Sequence, residues 1–335
     1  MHVCLVTDAW APQMNGVVRT LMRTCDELRA MGHAVTVISP DQFNNLPCPT
    51  YPEIRLAVLP RRKIARTIAA LRPNAIHIAT EGPLGHAARA YCLAHGLPFT
   101  TAYHTRFPEY VAARFAVPVG WSYAWLRRFH RRARGVMVAT PSIEAELAGR
   151  GFGNIRRWER GVDTELFHPR DKALLDLPRP IHLYVGRVAI EKNIEAFLSL
   201  DLPGSKVVIG DGPQLNELKK KFPTVHFLGR KVGEDLARHY AAADVFVFPS
   251  LTDTFGLVIL EALASGLPVA AFPVPGPRDI LADGTAGVLD SDLAKAAAKA
   301  LALPAARCRQ LAEQFSWRRA TEQFLSNLAP IAAFA

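Results

Sequence analysis

Residues 244–266 read DVFVFPSLTDTFGLVILEALASG, and their pattern indicates the fold class. The apolar run Val245–Phe248 is typical of a buried strand, and a polar loop carrying Asp253 follows it. A helical pattern then begins near Gly256 and ends at Gly266. A buried strand that leads through a short loop into a helix is the unit from which parallel α/β sheets are built.

Apolar runs and helical patterns alternate along the whole chain in two similar series. In the first half the predicted strands are His2–Thr7, Ala34–Ile38, Ile54–Val58, Ala75–Ile78, Pro98–Ala102 and Gly135–Ala139. In the second half they are Ile181–Val185, Lys206–Ile209, Val225–Phe227, Val245–Phe248, Val269–Phe272 and Gly287–Leu289. The predicted helices include Val17–Met31, Leu257–Ala264 and Asp292–Leu301. This alternation predicts an α/β protein with two Rossmann-like domains, each built on a parallel sheet.

The length of 335 residues suits two domains of about 150 residues each. The strand and helix pattern weakens over Asp163–Pro180, where prolines cluster, so the seam is expected there. The closing segment Phe315–Leu328 has helical spacing, and we expect it to pack on its own domain or to cross back to the first one. The predicted parts are residues 1–165, residues 166–315 and a terminal helix within residues 316–335.

Composition narrows the class of protein. Half of the residues are apolar and 21% are charged, which indicates a globular chain and not a disordered one. The five cysteines include no CxxC pair, a pattern typical of free thiols in a reducing compartment. No signal peptide is evident at the N-terminus, and no apolar run reaches the 18 residues expected of a membrane span. We therefore expect a cytoplasmic protein.

The net charge of +10 lies entirely in the first half of the chain. Residues 1–170 hold 22 Lys and Arg against 12 Asp and Glu, whereas residues 171–335 hold 18 of each kind. Such asymmetry favours a polyanionic partner for the first half, either membrane lipid or nucleic acid. The alternative interpretation is a solvated basic surface.

Ligands of open parallel sheets bind at the carboxyl ends of the strands, so the residues that follow each strand are candidate site residues. Gly16 follows the first strand and opens a helix whose amide groups suit an anion, although Asn-Gly is also a common turn. Arg187 and Lys192 follow the strand that ends at Val185, and their spacing suits a clamp on a diphosphate. The alternative for these two cations is a surface ion pair with a neighbouring glutamate.

Two further motifs limit the chemistry. Glu261 lies in an apolar helical stretch, so its carboxylate needs a dedicated partner, either a sugar or ribose diol or a structural backbone amide. The motif Gly210-Asp211-Gly212-Pro213 lacks the third glycine of a dinucleotide fingerprint, which argues against an NAD enzyme.

Taken together, these motifs resemble the retaining GT-B glycosyltransferases of the large family that includes bacterial lipid mannosyltransferases, sulfolipid synthases and sucrose synthases. The resemblance covers essentially the whole chain and is nearest to the lipid-glycosylating branch. The motifs that carry it, in the family's order, are the Gly16 loop, His104, Gly186-Arg187 with Lys192, Gly210–Pro213, and the acidic pair Asp253 and Glu261. It implies a GT-B fold with an active-site cleft between an N-terminal acceptor-binding domain and a C-terminal domain that binds a nucleotide sugar.

The resemblance also implies roles for residues. The implied catalytic residues are His104, Arg187, Lys192 and Asp253, and the implied donor-binding residues are Gly16, Gly186, Lys231, Phe255, Gly256, Leu257 and Glu261. Arg187 and Lys192 would hold the diphosphate, Glu261 the ribose, and Asp253 and His104 the transferred sugar. Neither a metal nor a cofactor nor a covalent nucleophile is expected, and a UDP-sugar is favoured over a GDP-sugar as the donor. The family often has Glu where this chain has Asp253.

A helical segment of the first half combines aromatic side chains with arginines, and a second basic stretch opens another helix. The residues expected to face a membrane or acceptor are Arg61, Arg62, Lys63, Trp121, Trp125, Arg127, Arg128 and Arg131. Basic residues beside aromatic ones suit the headgroup region of an anionic bilayer. We therefore expect a peripheral protein on the inner face of the cytoplasmic membrane, with diacylglycerol, phosphatidylinositol, ceramide or a glycolipid as acceptor and with no nucleic acid partner. The alternative is that the aromatic residues are core and the arginines are solvated.

Two other functions are compatible with such a chain. A nonhydrolysing sugar-nucleotide 2-epimerase shares the two-domain architecture, but it should carry additional carboxylates near the sugar, and no such set is evident. A catalytically silent protein that binds membrane or nucleic acid would use the basic half equally well.

Overall fold

The computed structural model describes residues 1–13, 15–48, 51–112 and 118–332. The chain divides into two compact units, which we call the N-terminal unit (Met1–Arg160 with Trp317–Ala335) and the C-terminal unit (Gly161–Ser316). The division after Arg160 lies a few residues before the expected boundary at residue 165. The last helix belongs to the N-terminal unit. Among the described residues, no helix has both the length and the apolar character needed to span a bilayer.

The N-terminal unit is built on a six-stranded parallel sheet. Its strands, in chain order, are β1 (His2–Val6), β2 (Ala34–Ile38), β5 (Ala75–Ile78), β6 (Thr100–Ala102), β7 (Gly135–Val138) and β8 (Ile155–Arg157). The order across the sheet is β2-β1-β5-β6-β7-β8, and all neighbouring strands are parallel. Its helices are α1 (Gly16–Ala30), α2 (Arg61–Leu71), α3 (Pro83–Ala94), α4 (Phe107–Ala112), α5 (Val119–His130), α6 (Pro141–Gly149) and α14 (Trp317–Asn327).

Two features of this sheet differ from the prediction. The apolar run at Ile54–Val58 does not join the parallel sheet, because it lies in β4 (Tyr51–Ala57), which pairs antiparallel with β3 (Asn45–Cys48). The edge strand β8 was not predicted, since it has only three residues, two of which are arginines. A short edge strand buries little apolar surface and so leaves almost no periodic signal.

The C-terminal unit contains the second six-stranded parallel sheet. Its strands are β9 (Ile181–Val185), β10 (Ser205–Ile209), β11 (His226–Phe227), β12 (Val245–Phe248), β13 (Val269–Ala271) and β14 (Gly287–Leu289), in the order β11-β10-β9-β12-β13-β14. Its helices are α7 (Ile194–Leu198), α8 (Leu215–Lys221), α9 (Gly233–Ala242), α10 (Leu257–Ala264), α11 (Pro277–Ile280), α12 (Leu293–Ala300) and α13 (Ala305–Ala312). The predicted bounds of β9, β12, β14 and α10 are confirmed. The order of a doubly wound dinucleotide fold is reproduced, with its reversal between β9 and β12.

Each sheet is covered on its faces by apolar side chains of the helices. In the N-terminal unit one face carries Ile64, Ile68 and Leu84 against Ile76 and Ile78. The other face carries a cluster that includes residues of α1, α14 and the segment after β8, among them Leu21, Leu28, Trp158 and Phe324. Because Phe324 is fully buried in this cluster, α14 completes the core of the N-terminal unit although it lies at the end of the chain.

Candidate active site

The sheet of the C-terminal unit reverses its strand order between β9 and β12, and the loops that follow these two strands meet there. Lys192, after β9, places its Nζ 2.5 Å from Oδ1 of Asp253, after β12. Asn193 donates its side-chain amide to the carbonyl oxygen of Pro249 at 3.0 Å. The hydroxyl of Thr252 donates to the carbonyl oxygen of Glu191 at 3.1 Å. Two predicted site residues 61 positions apart thus lie in contact at the place where such sheets bind ligands.

The backbone after β9 is held by close approach to two glycines. A Cβ atom added to Gly210 would lie 1.8 Å from the carbonyl oxygen of Gly186, and the φ of +148° at Gly210 would itself strain any side chain. A Cβ atom on Gly212 would lie 2.3 Å from the carbonyl oxygen of Val188. The amide of Val188 donates to the carbonyl oxygen of Asp211 at 2.9 Å. The Gly-Asp-Gly motif therefore supports the loop that carries Arg187.

Arg187 is held both through its backbone and through its side chain. The Tyr184 hydroxyl donates to the carbonyl oxygen of Arg187 at 2.7 Å. The guanidinium Nε lies 3.9 Å from Oε1 of Glu191, an ion pair at the outer limit of contact. The alternative prediction was an ion pair with a neighbouring glutamate. Arg187 forms such a pair with Glu191 at a long distance, whereas Lys192 pairs with Asp253.

Helix α10 begins at this loop. Gly256 caps it with a φ of +99°, a conformation that disfavours other residues. Phe255 is buried, and a Cβ atom on Gly276 would lie 2.6 Å from its carbonyl oxygen, so the loop is packed from both sides. The first amide groups of a helix have no intrahelical acceptor, and at α10 they include that of Leu257. The helix start predicted near Gly256 is confirmed.

Glu261 lies inside α10, and its residue is only 3% exposed. The hydroxyl of Tyr240, on α9, donates to its Oε2 at 3.0 Å. This contact with a side chain is a partner that sequence reasoning did not name. Lys231, two residues before α9, lies 3.1 Å from Oδ2 of Asp235 in the first turn of that helix. The structure therefore gives Lys231 a local ion pair.

The N-terminal unit has its own reversal of strand order, between β1 and β5, and Asp8 lies there. Its carboxylate accepts the Thr80 hydroxyl at 2.9 Å and the amides of Leu84 and Gly85, at the start of α3, at 2.9 and 3.3 Å. Burial raises the pKa of Asp8, and these hydrogen bonds partly offset that rise. A Cβ atom on Gly82 would lie 2.4 Å from Cγ of Asp8. Asp8 was not among the predicted site residues, although an aspartate directly after a strand was a usable signal.

Gly16 opens α1 in the same unit. The Asn15 side chain accepts the amide of Val18 at 3.0 Å and so caps the helix. The helix start predicted at Gly16 is confirmed, and the first turn of α1 contains no acidic residue. Its amide groups follow β1 in the chain and suit an anionic ligand.

His104 follows β6 and lies beside two residues of the segment after β8. Its ring centroid is 5.5 Å from that of Trp158, and its Nδ1 lies 3.3 Å from Nη2 of Arg160. Burial lowers the pKa of His104 well below its ordinary value, and the charges of Arg160 and His77 act in the same direction. Sequence reasoning did not single out Arg160, because the contact joins residues 56 positions apart.

The loop after His104 is anchored by a polar network. Arg106 donates to Glu146 on α6, and Glu146 also accepts the hydroxyl of Tyr123 at 3.0 Å. The same Tyr123 hydroxyl, on α5, also lies 2.7 Å from Oε1 of Glu109, so the two carboxylates share its one hydrogen. The guanidinium of Arg150 lies 3.8 Å over the Tyr123 ring. These contacts connect the His104 loop to α5 and α6.

Helix α5 separates its aromatic residues into two sets. Tyr123 and Phe129 are buried, whereas Trp121 is 75% exposed and Trp125 is 42% exposed. The alternative that the aromatic residues are core therefore holds for the first two and not for the tryptophans. Phe107, on α4, is also exposed, and its ring lies 6.3 Å from that of Trp125.

Arginines of α5 and of the residues that follow it lie close to Arg89. Burial lowers the pKa of Arg89, on α3, and the charges of Arg128, Arg131 and Arg132 lower it further. Arg127 donates to the carbonyl oxygen of Arg150 at 2.8 Å. The exposed basic residues at the start of α2 are Arg61, Arg62 and Lys63, of which Lys63 also lies 4.9 Å over the ring of Phe43.

No group of three or more His, Cys, Asp or Glu side chains in the described part of the chain is arranged to hold a metal ion. The predicted site residues fall into both units: His104, Gly16 and the basic and aromatic surface lie in the N-terminal unit, and the others lie in the C-terminal unit. Within the C-terminal unit the structure brings Lys192 and Asp253 into direct contact.

Comparison with known proteins gives this geometry a context. Residues 14–166 match the family described as Glycosyltransferase Family 4, and residues 179–304 match Glycosyl transferases group 1. A GDP-mannose-dependent alpha-mannosyltransferase of Mycobacterium tuberculosis is 31% identical, over 86% of this chain and 83% of that protein. An alpha-monoglucosyldiacylglycerol synthase of Streptococcus pneumoniae is 27% identical, over 90% of this chain and 78% of that protein. Among solved structures, sucrose-phosphate synthase of Thermosynechococcus elongatus shares the fold, with a TM-score of 0.78 and 24% identity over 97% of both chains.

Proposed function

This chain belongs to the GT-B glycosyltransferases that join a family 4 domain to a group 1 domain, and we propose that it moves a hexose or a uronic acid from a nucleoside diphosphate sugar to a lipid, with retention of anomeric configuration. The observation that supports the donor site best is the contact of Lys192 with Asp253 at the reversal point of the C-terminal sheet. The proposal that His104 takes part in the transfer reaction rests on its place after β6, in the N-terminal unit.

The donor site stabilises the leaving nucleoside diphosphate by charge. Lys192 and Arg187 supply two cations on the loop after β9, and the amide groups at the start of α10 add partial positive charge. Separation of an oxocarbenium-like sugar from a polyanion is the costly event, and preorganised donors at the developing charge are usually the largest catalytic term. The ammonium group of Lys192 contacts the Asp253 carboxylate, so a bound diphosphate would compete with that carboxylate for the same ammonium group.

The remaining groups orient the donor. Glu261, held by Tyr240, accepts the ribose hydroxyls, and Asp253 accepts hydroxyls of the sugar. Two fixed cations and a helix start replace a divalent metal in this proposal. Retention follows from attack by the acceptor on the same face from which the diphosphate departs, so no covalent nucleophile is needed.

A UDP-sugar, with glucose or glucuronate as the sugar, is the donor that we propose first. GDP-mannose is the second candidate, because the mannosyltransferase relative described above is named as GDP-mannose-dependent. A thermal-shift screen against UDP, GDP and ADP distinguishes them, since a ligand that binds the folded state raises its stability by about 2.7 kcal/mol at a hundredfold excess over Kd. No shift with any of the three nucleotides would contradict the donor site.

The proposed acceptor is a lipid reached from the cytoplasmic leaflet. The exposed Trp121 and Trp125 lie on the same helix as Arg128, a combination suited to an anionic bilayer surface. Each basic residue near such a surface contributes roughly 1 kcal/mol, so several hold the protein there reversibly. The relative named as a glucosyldiacylglycerol synthase supports a lipid acceptor for this chain.

Co-sedimentation with vesicles tests the membrane surface. We expect binding to anionic vesicles to exceed binding to neutral ones, and the double substitution Trp121→Ser and Trp125→Ser to reduce it at least tenfold. Met22→Ser, which removes an exposed apolar side chain from α1, is the matched control and should bind like the unmodified protein. Equal binding to both kinds of vesicle, or a control as weak as the double variant, would exclude this surface.

A further inference from the structure

Arg160 is a cation in a position where charged side chains are rare. The residue is 5% exposed, and no carboxylate of the described residues forms an ion pair with it. Its guanidinium instead donates to the carbonyl oxygens of Trp158 and Glu159 at 2.5 and 3.0 Å, and it lies 4.4 Å over the Trp158 ring. A buried charge without a counter-charge is costly, so stability alone does not explain this arrangement.

The second terminal nitrogen of Arg160 is directed to His104. Nη2 lies 3.3 Å from Nδ1 of the imidazole. A guanidinium has donors and no acceptor, so Nδ1 must be the acceptor and can carry no proton. In a neutral imidazole the proton then lies on Nε2. Burial lowers the pKa of Arg160 to about 9, so its guanidinium still carries its charge at neutral pH.

The charges around His104 oppose its protonation. An imidazolium would place a second positive charge beside Arg160, in a region from which water is largely excluded. His77 also faces this region, and burial together with Arg160 lowers the pKa of His77 to about 3, so it is neutral as well. Arg106, two residues after His104, is already paired with Glu146 and so adds little net charge.

We propose that Arg160 is a positioning residue for His104, which it fixes as the neutral tautomer with its proton on Nε2. His104 then serves the reaction as a hydrogen-bond donor to a sugar oxygen and not as a general base, because its Nδ1 lone pair is occupied by Arg160 and its Nε2 carries the proton. This role rests on the proposed function through His104 alone. The tautomer itself is a property of the free protein and can be measured without any substrate.

Nitrogen-15 NMR of histidine-labelled protein tests the tautomer directly, with His104→Asn used to assign the signals. We expect His104 to show a protonated Nε2 and an unprotonated Nδ1, with no titration between pH 5.5 and 8. A proton on Nδ1, or a pKa near the ordinary value of about 6.5, would overturn the proposal. Because this measurement contains neither donor nor acceptor, its result is independent of whether glycosyl transfer is found.

Two variants separate the hydrogen bond from the charge. Arg160→Gln keeps an amide donor but loses the positive charge, so His104 should keep its tautomer while its pKa rises. Arg160→Met loses both, and we expect the tautomer to become mixed and kcat to fall by about 10²-fold, with an acidic limb appearing in its pH profile. Nucleotide affinity, measured by thermal shift, should not change, since Arg187, Lys192 and Glu261, which we propose to hold the diphosphate and the ribose, lie in the C-terminal unit.

Arg157→Gln is the matched control. Arg157 lies three residues before Arg160 but is partly exposed, with its nearest carboxylate oxygens at 3.8 and 3.9 Å. It should leave the His104 signals and kcat unchanged. A purely structural role for Arg160 predicts that Arg160→Gln lowers stability without changing the His104 pKa, and that result would refute the proposal.

Discussion

Replacement of Phe324 by alanine tests the position of the last helix in the fold. The Phe324 ring is fully buried, and its centroid lies 4.8 Å from that of Trp158 and 4.9 Å from that of His77. Removal of such a ring leaves a cavity between α14 and the sheet of the N-terminal unit. Substitutions of this kind cost about 3–5 kcal/mol of unfolding free energy.

The size of the unit converts this energy into a temperature. The N-terminal unit comprises residues 1–160 and 317–335. For a unit of 150–250 residues, each kcal/mol lowers Tm by about 2–4 °C, so Phe324→Ala should lower the Tm of this unit by roughly 6–20 °C. Because Trp158 also contacts His104, we expect the same variant to lower kcat.

Differential scanning calorimetry with and without nucleotide is the assay. The donor nucleotide should raise only the transition of the C-terminal unit, and Phe324→Ala should lower only the other one. Leu325→Ala, at a half-buried neighbouring position, is the control and should cost less. The reasoning is refuted if Phe324→Ala costs under about 1 kcal/mol or lowers the transition that the nucleotide raises.

Two further substitutions test the donor site. Lys192→Met should lower kcat by about 10²–10³-fold. In a double-mutant cycle its effect should not add to that of Asp253→Asn, since the two side chains are in contact. Strictly additive effects would contradict the shared site. Gly210→Ala should abolish the nucleotide-induced thermal shift, because its Cβ would lie 1.8 Å from the carbonyl oxygen of Gly186. The control Gly149→Ala should retain the shift, since a Cβ atom there meets open space. Equal shifts in both variants would exclude the proposed support of the Arg187 loop.

Most of the strands were predictable because buried parallel strands are continuous apolar runs bounded by polar loops. The core strands Ala75–Ile78, Ile181–Val185 and Val245–Phe248 have their predicted bounds. The failures lie at the edges of the architecture. Strand β8 is short and carries two arginines, and β4 resembles a sheet strand in sequence but pairs in a hairpin, since apolar spacing does not specify the partner strand.

The residues of the proposed donor site could also be predicted from the sequence. Arg187 and Lys192 follow a strand, Gly256 precedes a helix and Glu261 lies in that helix, so chain order alone predicts a place for them near the carboxyl edge of the C-terminal sheet. The motif Gly210–Pro213 was recognised in the sequence, but its structural role was not. That role is the close approach of its glycines to the backbone after β9, which depends on the distance between two loops that are separate in the chain.

Strand periodicity and loop residues are local properties, so the α/β class, the two parallel sheets and the residue types at the carboxyl ends of the strands could be predicted from the chain. Which side chains meet could be established only from the folded structure: Lys192 with Asp253, Asp8 with Thr80, and His104 with Arg160. Such pairs join residues that are distant along the chain, and their contacts follow from strand order and from the return of α14 to the first sheet. Periodicity records whether a side chain is buried, whereas the identity of its neighbour is set by the packing of the whole unit.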